Sequence, residues 1–560
     1  MSGDRSLTRR QVLARAGAGS ATLMLGSQGL VGDAGGAVLL RSARGRAVPL
    51  PSPARVRADF QRMVDFGPRL TGTGAHHRFV SWLERQFLDA GLDLLPCDAY
   101  DIERWTATGF GLRVLDGPGA GPVKVGSYYV RSNETPPGGI TAPLVYGGTG
   151  PVTGPLPGAK GSIVVVDLAT PPPATAGIFF GQSTFRYWPG HNDADWAATD
   201  YTRSWVAPGL GVPLAPYEAL GAAAVVFILD NISYAALKGA YLPFTSGFEP
   251  LPALFVDRDT GAQLRQQALA GQRARFVLTA RRKRVATPTA TAVLPGASRE
   301  TIIFNTHTDG QNFAEENGGV AFVHLARHFA SLPKAKRLRR TLVFACWPGH
   351  MYGDIPETHG WIETHPKLVQ RAAAALTVEH LGCREWTDSR DRGYHATGEP
   401  ETFGVYATQG KVSDLTREAI VRHRVTRSSI LRPPPQFGVG GAFQSAGVPQ
   451  IGAIAGPAYL VTVSPNGEMD KLDERLAARQ IAWIADLARR FDRVPAADLR
   501  KGDSTLGQPG SFPAEEAPHH VGKCAPAKRP GGGGSQSGSG GGGAGGGDHT
   551  NGRVTHQGPS

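Results

Sequence analysis

Three features of this 560-residue chain predict an α/β fold, a mostly parallel or mixed sheet flanked by helices with a small β-rich domain inserted into it. Short apolar runs alternate with helical patterns from Thr287 to Phe491, the arrangement of βαβ units. Between Thr141 and Thr279 the texture changes to short strands separated by Gly and Pro turns. The length also exceeds one ordinary domain, so an inserted or second domain is the default.

In chain order, Arg55 to Ala99 reads as a helical opening. Phe60, Met63, Val64 and Phe66 lead to the turn Gly67-Pro68, and Phe79, Val80, Trp82, Leu83 and Phe87 recur at helical spacing before Gly91. Leu144–Gly148, Ser162–Asp167, Ala222–Leu229 and Leu254–Asp257 read as strands, and Thr260–Leu269 as a short helix. They are interrupted by an aromatic cluster that includes Phe185, Tyr187, Trp188, Trp196, Tyr201 and Trp205. A loop folded on its own small core is the first reading of that cluster, and a lid or substrate platform the second.

From Thr287 the spacing predicts a strand ending near His307, a helix over 320–332, a strand over 341–346, a helix over 360–375 and a strand over 376–381. Further strands follow at 402–407 and 449–454, with a final helix over 473–491. Expected boundaries are a leader and linker at 1–50, the α/β domain at 51–140 and 282–496, the insert at 141–281, and a flexible tail at 497–560. The Gly-rich stretch 531–547 cannot bury enough to offset the entropy of ordering.

The net charge of +12 is concentrated at the ends and leaves about +6 for the body, too little to argue for a nucleic-acid partner. Thr8-Arg9-Arg10-Gln11-Val12-Leu13 resembles a twin-arginine export signal, so a secreted, periplasmic or cell-surface location is expected. No later apolar run is long enough to span a membrane. Four cysteines are too few for a disulfide framework. Cys346 and Cys383 read as small buried hydrophobes, with pairing after export as the alternative.

His307-Thr308-Asp309, followed by Glu315-Glu316-Asn317-Gly318-Gly319, carries the chemistry. It lies on a loop leaving a strand, and its mixed nitrogen and oxygen donors suit zinc. These residues resemble the co-catalytic zinc aminopeptidases and glutamate carboxypeptidases, the zinc-exopeptidase fold, and 141–281 resembles the protease-associated domain inserted in many exported peptidases.

The family brings a His-x-Asp motif, an Asp-Asn pair with a bridging carboxylate, a Glu-Glu pair, a later Asp and a distal His-Thr. The resemblance implies His307 as a metal ligand, with Asp309 as its partner in the catalytic apparatus. It places Glu316 at the Asp-Asn position and Glu379 at the later carboxylate, both as metal ligands. The Glu-Glu position holds His350-Met351, and Tyr459-Leu460-Val461-Thr462 lacks the distal His. A thioether and a valine cannot hold zinc among hard partners, so one zinc ion is expected rather than two.

His350 is open to three readings: a base for the attacking water, a direct ligand, or a structural histidine. His380 should point to the opposite face of its strand from Glu379. His324 and His328, four apart on a helix, form no His-Glu-x-x-His motif and read as a solvated edge. Gln436 and Phe437 are the candidate substrate-binding residues.

The expected function is an exported metal-dependent hydrolase of peptide or amide bonds, aminopeptidase-like, acting on a peptide or an N-acyl amino acid-like substrate. The alternative is an inactive homologue that binds a partner through the same cleft.

Overall fold

Four neighbouring strands, buried along most of their length, make the centre of the molecule. The computed structural model describes residues 47–152, 154–168, 174–203, 212–242, 247–353, 355 and 357–508, and the backbone of 521–524. Ser298–His307 pairs in parallel with Arg340–Trp347 on one side and Ala372–Val378 on the other, and Ala372–Val378 pairs in parallel with Gln450–Ala455. Burial on both faces explains why these strands are apolar runs rather than alternating patterns. Antiparallel strands extend the sheet to nine, so it is mixed with a parallel centre.

Helix Gly318–Ser331 covers this sheet through aromatic packing. The Phe304 ring lies 4.8 Å from Phe344 and 5.8 Å from Phe322. Helix Glu474–Arg493 starts at Asp473, whose side chain accepts from the Arg475 and Leu476 amides, and it buries Leu476, Ile481, Trp483, Ile484 and Leu487.

A second nine-stranded sheet includes Cys97–Val114, Arg273–Pro288, Ile140–Gly150, Ile163–Leu168, Ala224–Leu229 and Ala253–Asp257. Two long ribbon strands of this sheet reach outside 141–281, Cys97–Val114 before it and Arg273–Pro288 past its end. The aromatic segment leaves the sheet altogether. Its strand Ser183–Tyr187 joins the edge of the first sheet, and Phe180, Trp196 and Tyr201 pack on Tyr406, Leu431 and Ile454.

Other expectations also change. Pro366 has no amide hydrogen to donate, and the helix expected over 360–375 divides into Glu357–Thr364 and Pro366–Val369. The next strand consequently starts at Ala372 and ends at Val378. Helix Lys411–His423 and hairpin Arg384–Ser389/Gly393–Pro400 are additional elements. The chain also stays ordered past 497. Asp503 accepts from the Gln409 amide at 2.7 Å, and Val521–Cys524 adds a strand to the second sheet. Cys97 is disulfide-bonded, against expectation, and faces Cys524 in that strand register. Cys346 and Cys383 are buried and free. The twin-arginine stretch, Trp205 and the Gly-rich run lie outside the described residues.

Two buried histidines make the fold acid-sensitive. Burial lowers both His76 and His324 to about 4, against opposing attraction from Asp309 and Asp59 respectively. Each ring is held neutral when folded but takes a proton at 6.5 when unfolded. Their stabilisation is therefore complete above about pH 6.5 and is lost as pH falls towards 4, roughly 3 kcal/mol for each ring. Urea midpoints should fall between pH 7.5 and pH 5, and less steeply in His324→Gln.

Candidate metal centre

The carboxyl ends of three of the four parallel strands deliver candidate donors to one place. His307 is the last residue of Ser298–His307, and Glu379 and His380 directly follow Ala372–Val378. The loop after Arg340–Trp347 carries His350. Clefts in open α/β sheets form at such strand ends.

Two groups of donor atoms each lie within 4.8 Å of one another: His307, Glu379 and His380, and His307, Glu315 and His350. His307 Nε2 is 3.5 Å from Glu379 Oε2, and His380 Nε2 is 2.9 Å from Glu315 Oε2. His350 Nε2 is 4.0 Å from Glu315 Oε1.

The imidazoles are oriented from behind. His307 Nδ1 lies 2.8 Å from the Asp309 carbonyl, and His380 Nδ1 contacts the Ala455 carbonyl. A carbonyl only accepts, so both Nδ1 atoms carry the proton and both Nε2 atoms are left as lone-pair donors. Glu379 Oε1 accepts from the Val439 amide at 3.0 Å. His307 Nε2, Glu379 Oε2 and His380 Nε2 are buried without hydrogen-bond partners, as are both Glu315 oxygens. Buried polar atoms in that state are costly unless an ion satisfies them.

The electrostatics agree. Burial disfavours a charged His307, yet Asp309, Glu379 and Glu315 outweigh it and raise the ring well above its ordinary range. A pocket with three carboxylates demands positive charge, and a divalent cation supplies it. The residues present therefore fit zinc.

Asp309 works at one remove. Its Oδ2 accepts from Thr71 Oγ1 at 2.5 Å, from the Gly349 amide at 3.0 Å and from the Met351 amide at 3.1 Å. It pins the loop that carries His350 and lies behind His307.

Glu316, expected as a ligand, is instead buried against the guanidinium of Arg69. That arginine also donates to the carbonyls of Gly67 (2.6 Å), Met63 (3.2 Å) and Asn312 (2.5 Å). Glu315, one residue earlier, faces the donor cluster. His380, expected on the opposite face, belongs to the cluster because its strand has already ended. It sits at φ 57°, so strand alternation no longer governs its direction. Only its position directly after Glu379 in a Glu-His-Leu-Gly turn hints at this.

Asn317 holds the Glu379–His380 turn by donating to the Leu381 carbonyl and accepting from the Leu381 amide, both at 2.9 Å. Met351 Sδ accepts from Gln311 Nε2 at 3.2 Å. Where the distal histidine would stand, the Tyr459 and Leu460 carbonyls accept from Asn312 Nδ2.

A cavity of about 320 Å³ adjoins the cluster, bordered by Glu357, Pro433, Gln436, Gly438, Val439 and Ala442, among others. Gln436 lies on its border. Phe437 packs instead against the aromatic segment, its ring 5.9 Å from Phe179. His324 is also buried, 3.3 Å from Asp59, rather than on a solvated edge.

No protein-family profile matches the chain, and no curated protein matches it in sequence. Solved structures do match its fold. An aminopeptidase from Aneurinibacillus sp. strain AM-1 aligns at 16% identity over 78% of this chain and 93% of its own, with a TM-score of 0.51. The zinc aminopeptidase BSAP of Bacillus subtilis aligns at 15% over 80% and 98%, with a TM-score of 0.53. A peptidase M28 precursor from Shewanella amazonensis SB2B aligns at 14% over 79% and 96%, with a TM-score of 0.55. The chain thus has the zinc-exopeptidase fold.

Proposed function

We propose that the protein is an exported, zinc-dependent hydrolase of peptide or amide bonds, aminopeptidase-like in its choice of substrate. One observation carries the reading: His307 Nε2, Glu379 Oε2 and His380 Nε2 converge without hydrogen-bond partners at the strand ends of a zinc-exopeptidase fold. These three would hold the ion, with Glu315 beside them. His307 has one lone-pair nitrogen and belongs to both donor groups, which favours one zinc rather than two. Bound there, zinc would supply Lewis acidity towards a scissile carbonyl.

His350 is on the substrate side of the cluster. Its side chain is 17% exposed, whereas His307, Glu315 and His380 are fully buried. Its Nδ1 is 3.3 Å from Glu357 Oε1, so Nε2 faces the cluster. In this reading His350 takes a proton from the attacking water and returns it to the leaving amine. The second sheet is read as a protease-associated domain. Export is supported by the twin-arginine motif and by the Cys97 disulfide, since such bonds persist in oxidising compartments.

The test is zinc content after reconstitution, followed by hydrolysis of aminoacyl 4-nitroanilides. Expected are about one zinc per chain and measurable turnover; less than about one tenth would sink the enzyme reading. Full zinc with no turnover on any substrate would instead indicate a binding protein. His350→Ala should keep the zinc and lower kcat about a hundredfold or more. Loss of zinc in that variant would make His350 a ligand.

A further inference from the structure

We propose that the cavity beside the donor cluster selects the substrate side chain, and that Glu357 makes it prefer a basic side chain to an acidic one. This rests on the hydrolase reading above and names its substrate class.

The cavity is tied to the cluster at two points. Glu357 borders it and also lies against His350, while Gly438 and Val439 border it and hold Glu379 through the Val439 amide. A side chain in the cavity would therefore belong to a substrate whose scissile bond lies at the donors. About 320 Å³ is at the small end of the roughly 300–1,000 Å³ usual for ligand pockets. That volume suits one amino-acid side chain rather than a longer segment.

The walls mix short apolar side chains, from Pro433, Pro434, Val439 and Ala442, with polar ones such as Thr358 and Gln436. Glu357 is the one carboxylate, His359 is the other ionisable side chain, and among the described residues lining the cavity there is neither lysine nor arginine. An acidic side chain would meet the Glu357 carboxylate with only the imidazoles of His350 and His359 to offset it, whereas a guanidinium or ammonium would gain a charge-assisted hydrogen bond.

Glu357 is also held at φ 42°, a conformation that non-glycine residues adopt at a cost. Beneath it, a Cβ at Gly349 would meet Ile355 Cβ at 2.6 Å and Glu357 Cγ at 3.5 Å, so the loop is packed around this side chain. Backbone strain of this kind clusters where a side chain must be aimed.

The experiment uses the zinc-loaded full chain with Arg, Lys, Leu and Glu 4-nitroanilides, and calorimetric binding of argininamide and glutamic acid α-amide. Arg and Lys should exceed Glu in kcat/KM by about tenfold or more, and Glu357→Gln should lower the Arg-to-Leu ratio about ten- to hundredfold, mainly through KM. Glu357→Lys should shift the preference towards Glu. Equal kcat/KM across the panel, or an unchanged Arg-to-Leu ratio in Glu357→Gln, overturns the pocket but leaves the hydrolase. If nothing is turned over, Glu357-dependent binding of argininamide keeps the pocket while the hydrolase reading fails. Equal binding of the two amides removes the pocket.

Discussion

Replacing His380 by alanine is expected to reduce zinc retained after dialysis from about one ion per chain to under about one tenth, and to abolish hydrolysis. The reason is coordination number. Three protein donors with an open position are the usual catalytic zinc set, and this variant leaves His307 and Glu379. Circular dichroism should be unchanged, since the substitution removes a ring at a strand end rather than a strand. Mass spectrometry of the metal decides between the two donor groups: retained zinc would assign the ion to His307, Glu315 and His350.

A second large effect is expected at Glu316, and it should appear in stability rather than in metal content. Glu316→Gln leaves the Arg69 guanidinium buried without its counter-charge, and breaking such a pair costs about 3–5 kcal/mol. Burial already lowers Arg69 to about 9, a measure of how unfavourable that charge is in the interior. Denaturant midpoints should fall while zinc stoichiometry below the transition stays near that of the parent chain. The double variant Arg69→Met/Glu316→Leu should regain only part of the loss, because the carbonyls of Met63, Gly67 and Asn312 lose their donor. Loss of zinc from Glu316→Gln with unchanged midpoints would return Glu316 to the metal.

Much of the site is legible in linear order. His307 and Glu379 come at or just after the ends of apolar runs, and a buried strand delivers the residues at its end to the edge of the sheet. Asp309 is recognisable as the partner of His307 from the motif alone. The choice between Glu315 and Glu316 is not legible. Adjacent residues on a loop have no periodicity to separate them, and the decision rests on Arg69, more than two hundred positions away, which takes one of the two carboxylates. His380 departs from expectation for a related reason. Alternation holds only within a strand, and this strand ends at Val378, two residues before the histidine. Phe437, expected at the substrate, is claimed by the aromatic segment around Phe179. That segment lies in sequence between strands of the second sheet, yet folds onto the first.

The sequence by itself determined the layered α/β architecture and the ends of its core strands, because long apolar runs have few ways to be buried. It also determined that imidazoles and carboxylates would stand at those ends. Only the tertiary structure decided which of them face one another. Donor geometry depends on the direction of a few side chains, and ion pairs, carbonyl contacts and positive-φ turns between distant segments set that direction.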